Sequence, residues 1–106
     1  MSPKETPLPN PFESTLFAAE LSDSIPQIDL HGMRGNIAVS EAETFLHRSF
    51  MDGEEAVKII HGRGTGILKT LIEKLLKENP EIIASYRGST KPGEAGAVIL
   101  VAMHRK

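Results

Sequence analysis

In the run IDLHGM, residues 28 to 33, an acid and an imidazole stand two positions apart and a glycine follows. On an extended chain residues i and i+2 share a face, so Asp29 and His31 point together while Ile28 and Leu30 point the other way. An acid that orients a histidine leaves that ring to take or give a proton near neutral pH, which is general acid or base chemistry. The same pair also suits a purely structural strand end, since structural pairs perturb ionisation too. A second histidine, His61, opens the run HGRGTG, in which Gly62, Gly64 and Gly66 alternate just before a helical stretch. Backbone amides there can approach an anion, and a helix amino terminus favours its negative charge. Arg63 and Lys69 add positive charge and Thr65 a hydroxyl. The bland alternative is a tight strand-to-helix turn that needs glycine conformations. The spacing GxGxG is not the dinucleotide fingerprint GxGxxG, and no phosphate loop of the GK[ST] type is present. Two imidazoles and a carboxylate on neighbouring strands can hold a divalent ion with open positions. Phosphate contact is the reading adopted for them, and no metal ligand is assigned.

Composition narrows the chemistry further. The chain has 106 residues, 40% of them hydrophobic, which fits one domain with a modest core. It has no cysteine, so disulfides, thiolate metal sites and cysteine nucleophiles are excluded. Catalysis is left to histidines, acids, hydroxyls and lysines. No apolar run approaches a membrane span, and MSPKETPLPN lacks the apolar core of a signal peptide, so a cytoplasmic protein with no membrane partner is expected. The formal net charge is -2, but its distribution is uneven. Residues 1 to 55 hold ten acids and three bases, net -7, and residues 56 to 106 hold four acids and nine bases, net +5. A slightly acidic chain can thus present a basic surface to phosphate.

The elements that must position these residues follow from hydrophobic period and punctuation. Five of the seven prolines lie at positions 3, 7, 9, 11 and 26, so residues 1 to 25 are expected to be a proline-rich arm outside the core. Apolar residues at 12, 16, 17 and 21 give that arm a short helix lying against the domain. QIDLH makes a first strand, and Asn36 is the expected cap of a helix over 37 to 52, closed by Gly53. AVKIIHG, residues 56 to 62, is a second strand. Ile67, Leu68, Leu71, Ile72, Leu75 and Leu76 form an apolar stripe, opposite Lys69, Glu73, Lys74, Lys77 and Glu78, of a helix stopped by Asn79 and Pro80. Residues 81 to 87 make a third strand. AVILVAM, residues 97 to 103, makes a fourth, apolar nearly throughout and hence central.

The order β-α-β-α-β-β implies an α/β two-layer sandwich, a four-stranded mixed sheet with two helices on one face. Helical crossovers make the first three strands parallel, and the last, joined by a short loop, antiparallel. DLHG, HGRGTG and GEAG then meet on the sheet edge where open α/β sheets bind ligands. His47, on the first long helix, and His104, near the end, are expected on the surface.

IDLHGM, IIHGRGTGILKTLIEKLL and GEAGAVILV together, in this order and spacing, resemble the Smr domain, the small domain related to the carboxy-terminal part of MutS2 proteins. The resemblance covers about residues 26 to 104. It implies a fold similar to the carboxy-terminal domain of translation initiation factor three, and nucleic-acid binding, often with endonuclease activity on DNA or RNA. The family's acid and histidine fall on Asp29 and His31, and its HGxGxG loop on His61, Gly62, Gly64 and Gly66. Where the family's last motif resembles GGxGxT, residues 93 to 98 read GEAGAV and place Glu94 beside the expected phosphate surface.

The function expected is phosphodiester cleavage on RNA or branched DNA, with Asp29, His31 and His61 catalytic. Arg34, Gly62, Arg63, Gly64, Thr65, Gly66, Lys69 and Arg87 would hold the backbone. On RNA the 2′-hydroxyl can be activated without metal, whereas DNA calls for a magnesium- or manganese-activated water. Junctions, loops or ribosome-bound strands are the expected partners. A non-catalytic nucleic-acid-binding module, or a protein-interaction module docking through the proline-rich arm, are the alternatives.

Overall fold

Short β-branched runs alternate with amphipathic segments, and in the computed structural model, which describes residues 10–105, each folds as its period dictates. The elements are α1 (Glu13–Leu21), β1 (Gln27–Asp29), α2 (Gly35–Met51), β2 (Ala56–Ile60), α3 (Ile67–Lys77), β3 (Ile83–Gly88) and β4 (Val98–Met103). Prolines 3, 7 and 9 of the expected arm lie outside the described residues. The strands are ordered β1-β2-β4-β3, with β1 and β2 parallel and β4 antiparallel to both neighbours. β4 is central, and all six of its residues are buried. None of the described helices is long and apolar enough to cross a membrane.

Two cores flank the sheet. On one face α2 and α3 pack Ala38, Ala42, Leu46, Ile72 and Leu76 against Leu30, Val57, Ile59, Ile99 and Val101. On the other, α1 lays Leu16 and Ala19 on Ala56, Ala97, Val98, Leu100 and Ala102. The small residues of β2 and β4 let this helix come close. The segment expected to be an arm outside the core therefore supplies core: Leu16 is only 1% exposed.

Local ends differ from expectation in three places. α2 starts at Gly35 with Arg34 in the cap position and no side-chain cap, so Asn36 lies inside the first turn. A Cβ on residue 35 would sit 2.6 Å from Leu71 Cδ1, so glycine lets the start of α2 lie close against α3. β3 begins at Ile83, because the amides of Ile82 and Ile83 are taken by the Asn79 carbonyl at the end of α3. Ile67, expected in the core stripe, is 63% exposed, because the first residue of α3 overhangs the sheet edge.

Candidate functional site

The parallel pairing of β1 and β2 sets Asp29 opposite Ile60. The Leu30 amide still donates to the Ile60 carbonyl at 2.7 Å, after which the chain turns away. That turn brings His31 back over Asp29. One carboxylate oxygen, Oδ1, accepts from the His31 amide at 3.1 Å and from ring Nδ1 at 2.5 Å. A carboxylate only accepts, so Nδ1 carries the hydrogen and Nε2 is the nitrogen left to exchange a proton. The ring's hydrogen bond, then the amide's, hold the Asp29 carboxyl below its usual range. The dyad stands at the surface, its side chains 70% and 49% exposed for His31 and Asp29.

His61 differs in burial and in partner. It is buried, and its Nδ1 donates to the Gly62 carbonyl at 2.8 Å. Burial pushes the ring's pKa down, outweighing that hydrogen bond, and nearby Lys69 acts in the same direction as burial. The imidazole is therefore held neutral, with Nε2 as an acceptor. The amides of His61 and Gly62 both donate to the Ala97 carbonyl, at 2.9 and 3.1 Å, anchoring this loop on the start of β4.

Gly62 joins the two histidine turns. Its φ is +81°, and a Cβ there would lie 2.8 Å from His31 Cβ. Gly62→Ala is expected to destabilise the domain by about 1–3 kcal/mol and to shift His31 off Asp29. Thermal unfolding with the histidine ring NMR signals checks this; unchanged stability and ring shifts would show that the two turns are not in contact.

Gly66, at φ +87°, starts α3 without a side-chain cap, as Arg34 starts α2. Both helix amino termini thus point free amides and positive dipole ends at one place. Between them lies a cleft of about 450 Å³. His31, His61, Gly62, Arg63, Gly64, Thr65, Gly66 and Lys69 all line it. Asp29 stands behind His31, and Arg34 is exposed between two lining residues, Met33 and Gly35. Arg63 Nη2 donates to the Ala95 carbonyl at 3.0 Å, holding the guanidinium beside the third loop.

Arg87 is not brought to the cleft. It lies on the reverse face, where its Nε donates to Glu13 at 2.9 Å and its Nη1 to Glu20 at 3.1 Å. Glu94 is likewise not a free acid at the phosphate surface. It accepts from the buried Lys58 ammonium at 2.8 Å and from Ser89 Oγ at 2.8 Å. Burial works to raise its carboxyl, but these hydrogen bonds outweigh it and leave the group ionised. Among the described residues no three acids or histidines are grouped to hold a metal ion. His47 is exposed on α2, and His104 is exposed, edge-on to Phe12. Sequence reasoning missed Met33 and Ile67 at the cleft and the carbonyls of Ala95 and Ala97 that anchor its loop; backbone acceptors leave no mark in residue types.

The Smr domain family model matches residues 28–102. Endonuclease MutS2 of Caldanaerobacter subterraneus subsp. tengcongensis is 38% identical over 92 residues, 85% of this chain and 11% of that protein. The chain spans about a tenth of the length of the curated relatives it matches. Among solved structures, the Smr domain of Thermus thermophilus MutS2 superposes with a TM-score of 0.69 at 28% identity, covering 76% of this chain and 99% of that one. YdaL, a stand-alone small MutS-related protein from Escherichia coli, gives 0.76 at 20% identity over 94% of this chain and 79% of its own, a likeness of fold.

Proposed function

The chain belongs to the Smr domain family, and on that footing we propose that it binds nucleic acid at the cleft between α2 and α3 and cuts phosphodiester bonds there as an endonuclease. One observation carries this reading: a histidine with its tautomer fixed by an ionised acid, and Nε2 free, stands beside two uncapped helix amino termini. A backbone phosphate at those amides meets Arg34, Arg63 and Lys69 as counter-charges. The 70% exposure of the His31 side chain lets a strand reach it from solvent.

On RNA, His31 Nε2 takes the 2′-hydroxyl proton, the 2′-oxygen attacks phosphorus, and the bond to the 5′-oxygen breaks as that oxygen takes a proton from water, leaving a cyclic phosphate and a 5′-hydroxyl. His61, neutral, with Nε2 as an acceptor and lining the same cleft, is the second group placed to take a proton. DNA lacks that hydroxyl, and its cleavage calls for a magnesium- or manganese-activated water. Contacts to phosphate position a strand without reading sequence, so junctions, loops and ribosome-bound strands in the cytoplasm are the substrates proposed.

The test is cleavage of labelled RNA and DNA, single-stranded and branched, with magnesium, manganese or chelator. Chelator-resistant cleavage ending in cyclic phosphate supports the RNA route, and chelator-sensitive cutting of DNA the other. In binding, Lys69→Ala is expected to weaken all sequences alike and to reduce the salt slope by about 1. Absence of any salt-dependent binding overturns the proposal; binding without cleavage by abundant protein leaves a non-catalytic module.

A further inference from the structure

We propose that Met33 and Ile67, at the rim of the cleft, hold an unstacked nucleobase beside the bound phosphate, so that the nucleotide engaged is unpaired; this rests on the nucleic-acid reading above. Among the described residues, six large apolar side chains are exposed, and three of them gather at the two helix starts that frame the cleft. Met33 lies two residues before the start of α2, Ile37 is in the first turn of that helix, and Ile67 is the first residue of α3. Met33 and Ile67 line the cleft, together with the aliphatic Leu68. Single exposed apolar residues are ordinary on protein surfaces, but a cluster set into a cationic cleft marks a binding surface.

Charge complementarity selects the occupant. The cleft offers Arg63, Lys69 and helix amides, which suit an anion, and within the same volume an apolar shelf, which suits a flat uncharged ring. A nucleotide carries both, its phosphate and its base a few bonds apart. An apolar protein segment would use the shelf and leave the cations unmatched. Methionine is polarizable and makes favourable contacts with aromatic rings, and methionine and isoleucine serve as wedges against bases in nucleic-acid complexes. The cleft, about 450 Å³, lies in the size range of small-ligand sites. A base inside a duplex is stacked on both faces and cannot lie on this shelf. An unpaired base reaches it at little cost.

The experiment measures binding, apart from catalysis, with the His31→Ala protein and fluorescent blunt-ended RNA and DNA duplexes at stepped ionic strength. Each duplex comes fully paired, with one bulged nucleotide, and with an abasic bulge. The bulged form is expected to bind roughly tenfold more tightly than the paired and abasic forms. Adding Ile67→Ala or Met33→Ala should remove most of that gain while leaving binding to the paired and abasic forms unchanged. Ile67 is 63% exposed, so its truncation leaves the fold intact. Salt-dependent binding that is equal for all three forms, or a substitution that weakens all three equally, overturns the inference while the nucleic-acid reading stands. Binding to none of the duplexes overturns both. Capture of an apolar peptide with no salt dependence would give the shelf to a protein partner and likewise overturn it.

Discussion

Replacing His31 by alanine is expected to lower cleavage by about 10²- to 10⁴-fold, the range lost with a positioned general acid or base. Affinity for the same substrate should change little, because in the proposed complex the phosphate is met by backbone amides at Gly35 and Gly66 and by Arg63 and Lys69, none of which touches the imidazole's proton-exchanging nitrogen. Asp29→Asn is the sharper companion. It preserves shape but removes the negative charge that accepts from both the His31 amide and Nδ1. An amide oxygen can still accept, so binding persists, but the ring is free to take its other tautomer and the rate falls. Measuring kcat and Kd for both variants on one substrate separates catalysis from binding. If both variants cut at the wild-type rate, the dyad is a strand closure and the proton-transfer role is wrong.

Glu20→Ala is expected to destabilise the domain by about 2–4 kcal/mol, because it removes the one charged acceptor shared by Arg87 and by the amide and hydroxyl of Thr90. A folded domain has roughly 5–15 kcal/mol in all, so a large share of the margin is at stake. Glu20 is a buried acid on α1, and its Oε1 accepts from the Thr90 amide at 2.6 Å, the Thr90 hydroxyl at 3.0 Å and Arg87 at 3.1 Å. Led by the Thr90 amide and then Arg87, these hold its carboxyl down at about 2 against an ordinary 4.5. A folded pKa below the unfolded one gives stability that is present above the unfolded value and lost as pH falls towards the folded one. The wild type should therefore weaken between about pH 4.5 and 2, and the gap between it and Glu20→Ala should narrow over that window. His61 acts at higher pH with the same sign, since a ring held neutral by burial resists the protonation that the unfolded chain accepts below about 6.5. Urea melts at stepped pH check both. A gap under about 1 kcal/mol at pH 7 would mean that water replaces the carboxylate without penalty.

How much of this was legible in residue types varies with the distance over which each feature is built. The α3 stripe and the all-apolar β4 announce themselves by period and composition, and the mixed sheet with β4 central follows from them. The pairing of Asp29 with His31 is equally local, since a separation of two on an extended segment allows little else. What stayed hidden depends on partners far along the chain. Arg87 is expected from its charge to hold the nucleic-acid backbone; its pleat direction turns it to the reverse face, and acids 67 and 74 residues away claim it. Lys58 reads as an interruption in AVKII, yet it is buried and meets Glu94 and the carbonyl of Ser22. The burial of α1 was not legible for a related reason: the small residues that make room for Leu16 sit on other strands.

The central place of β4 bears on when the protein becomes competent during synthesis. Asp29, His31, His61 and Gly62 leave the ribosome early, but β2 has no partner on its second side until Val98–Met103 arrive, and the carbonyl that fixes the His61 turn belongs to Ala97. Before then, the nascent chain holds both histidine turns without the anchored His61 loop that completes the cleft. Long-range strand pairing closes last in any case, since its loop entropy must be overcome before the contacts form. Strand order thus acts as a clock, so that whatever the cleft binds meets it only once the last strand is in place.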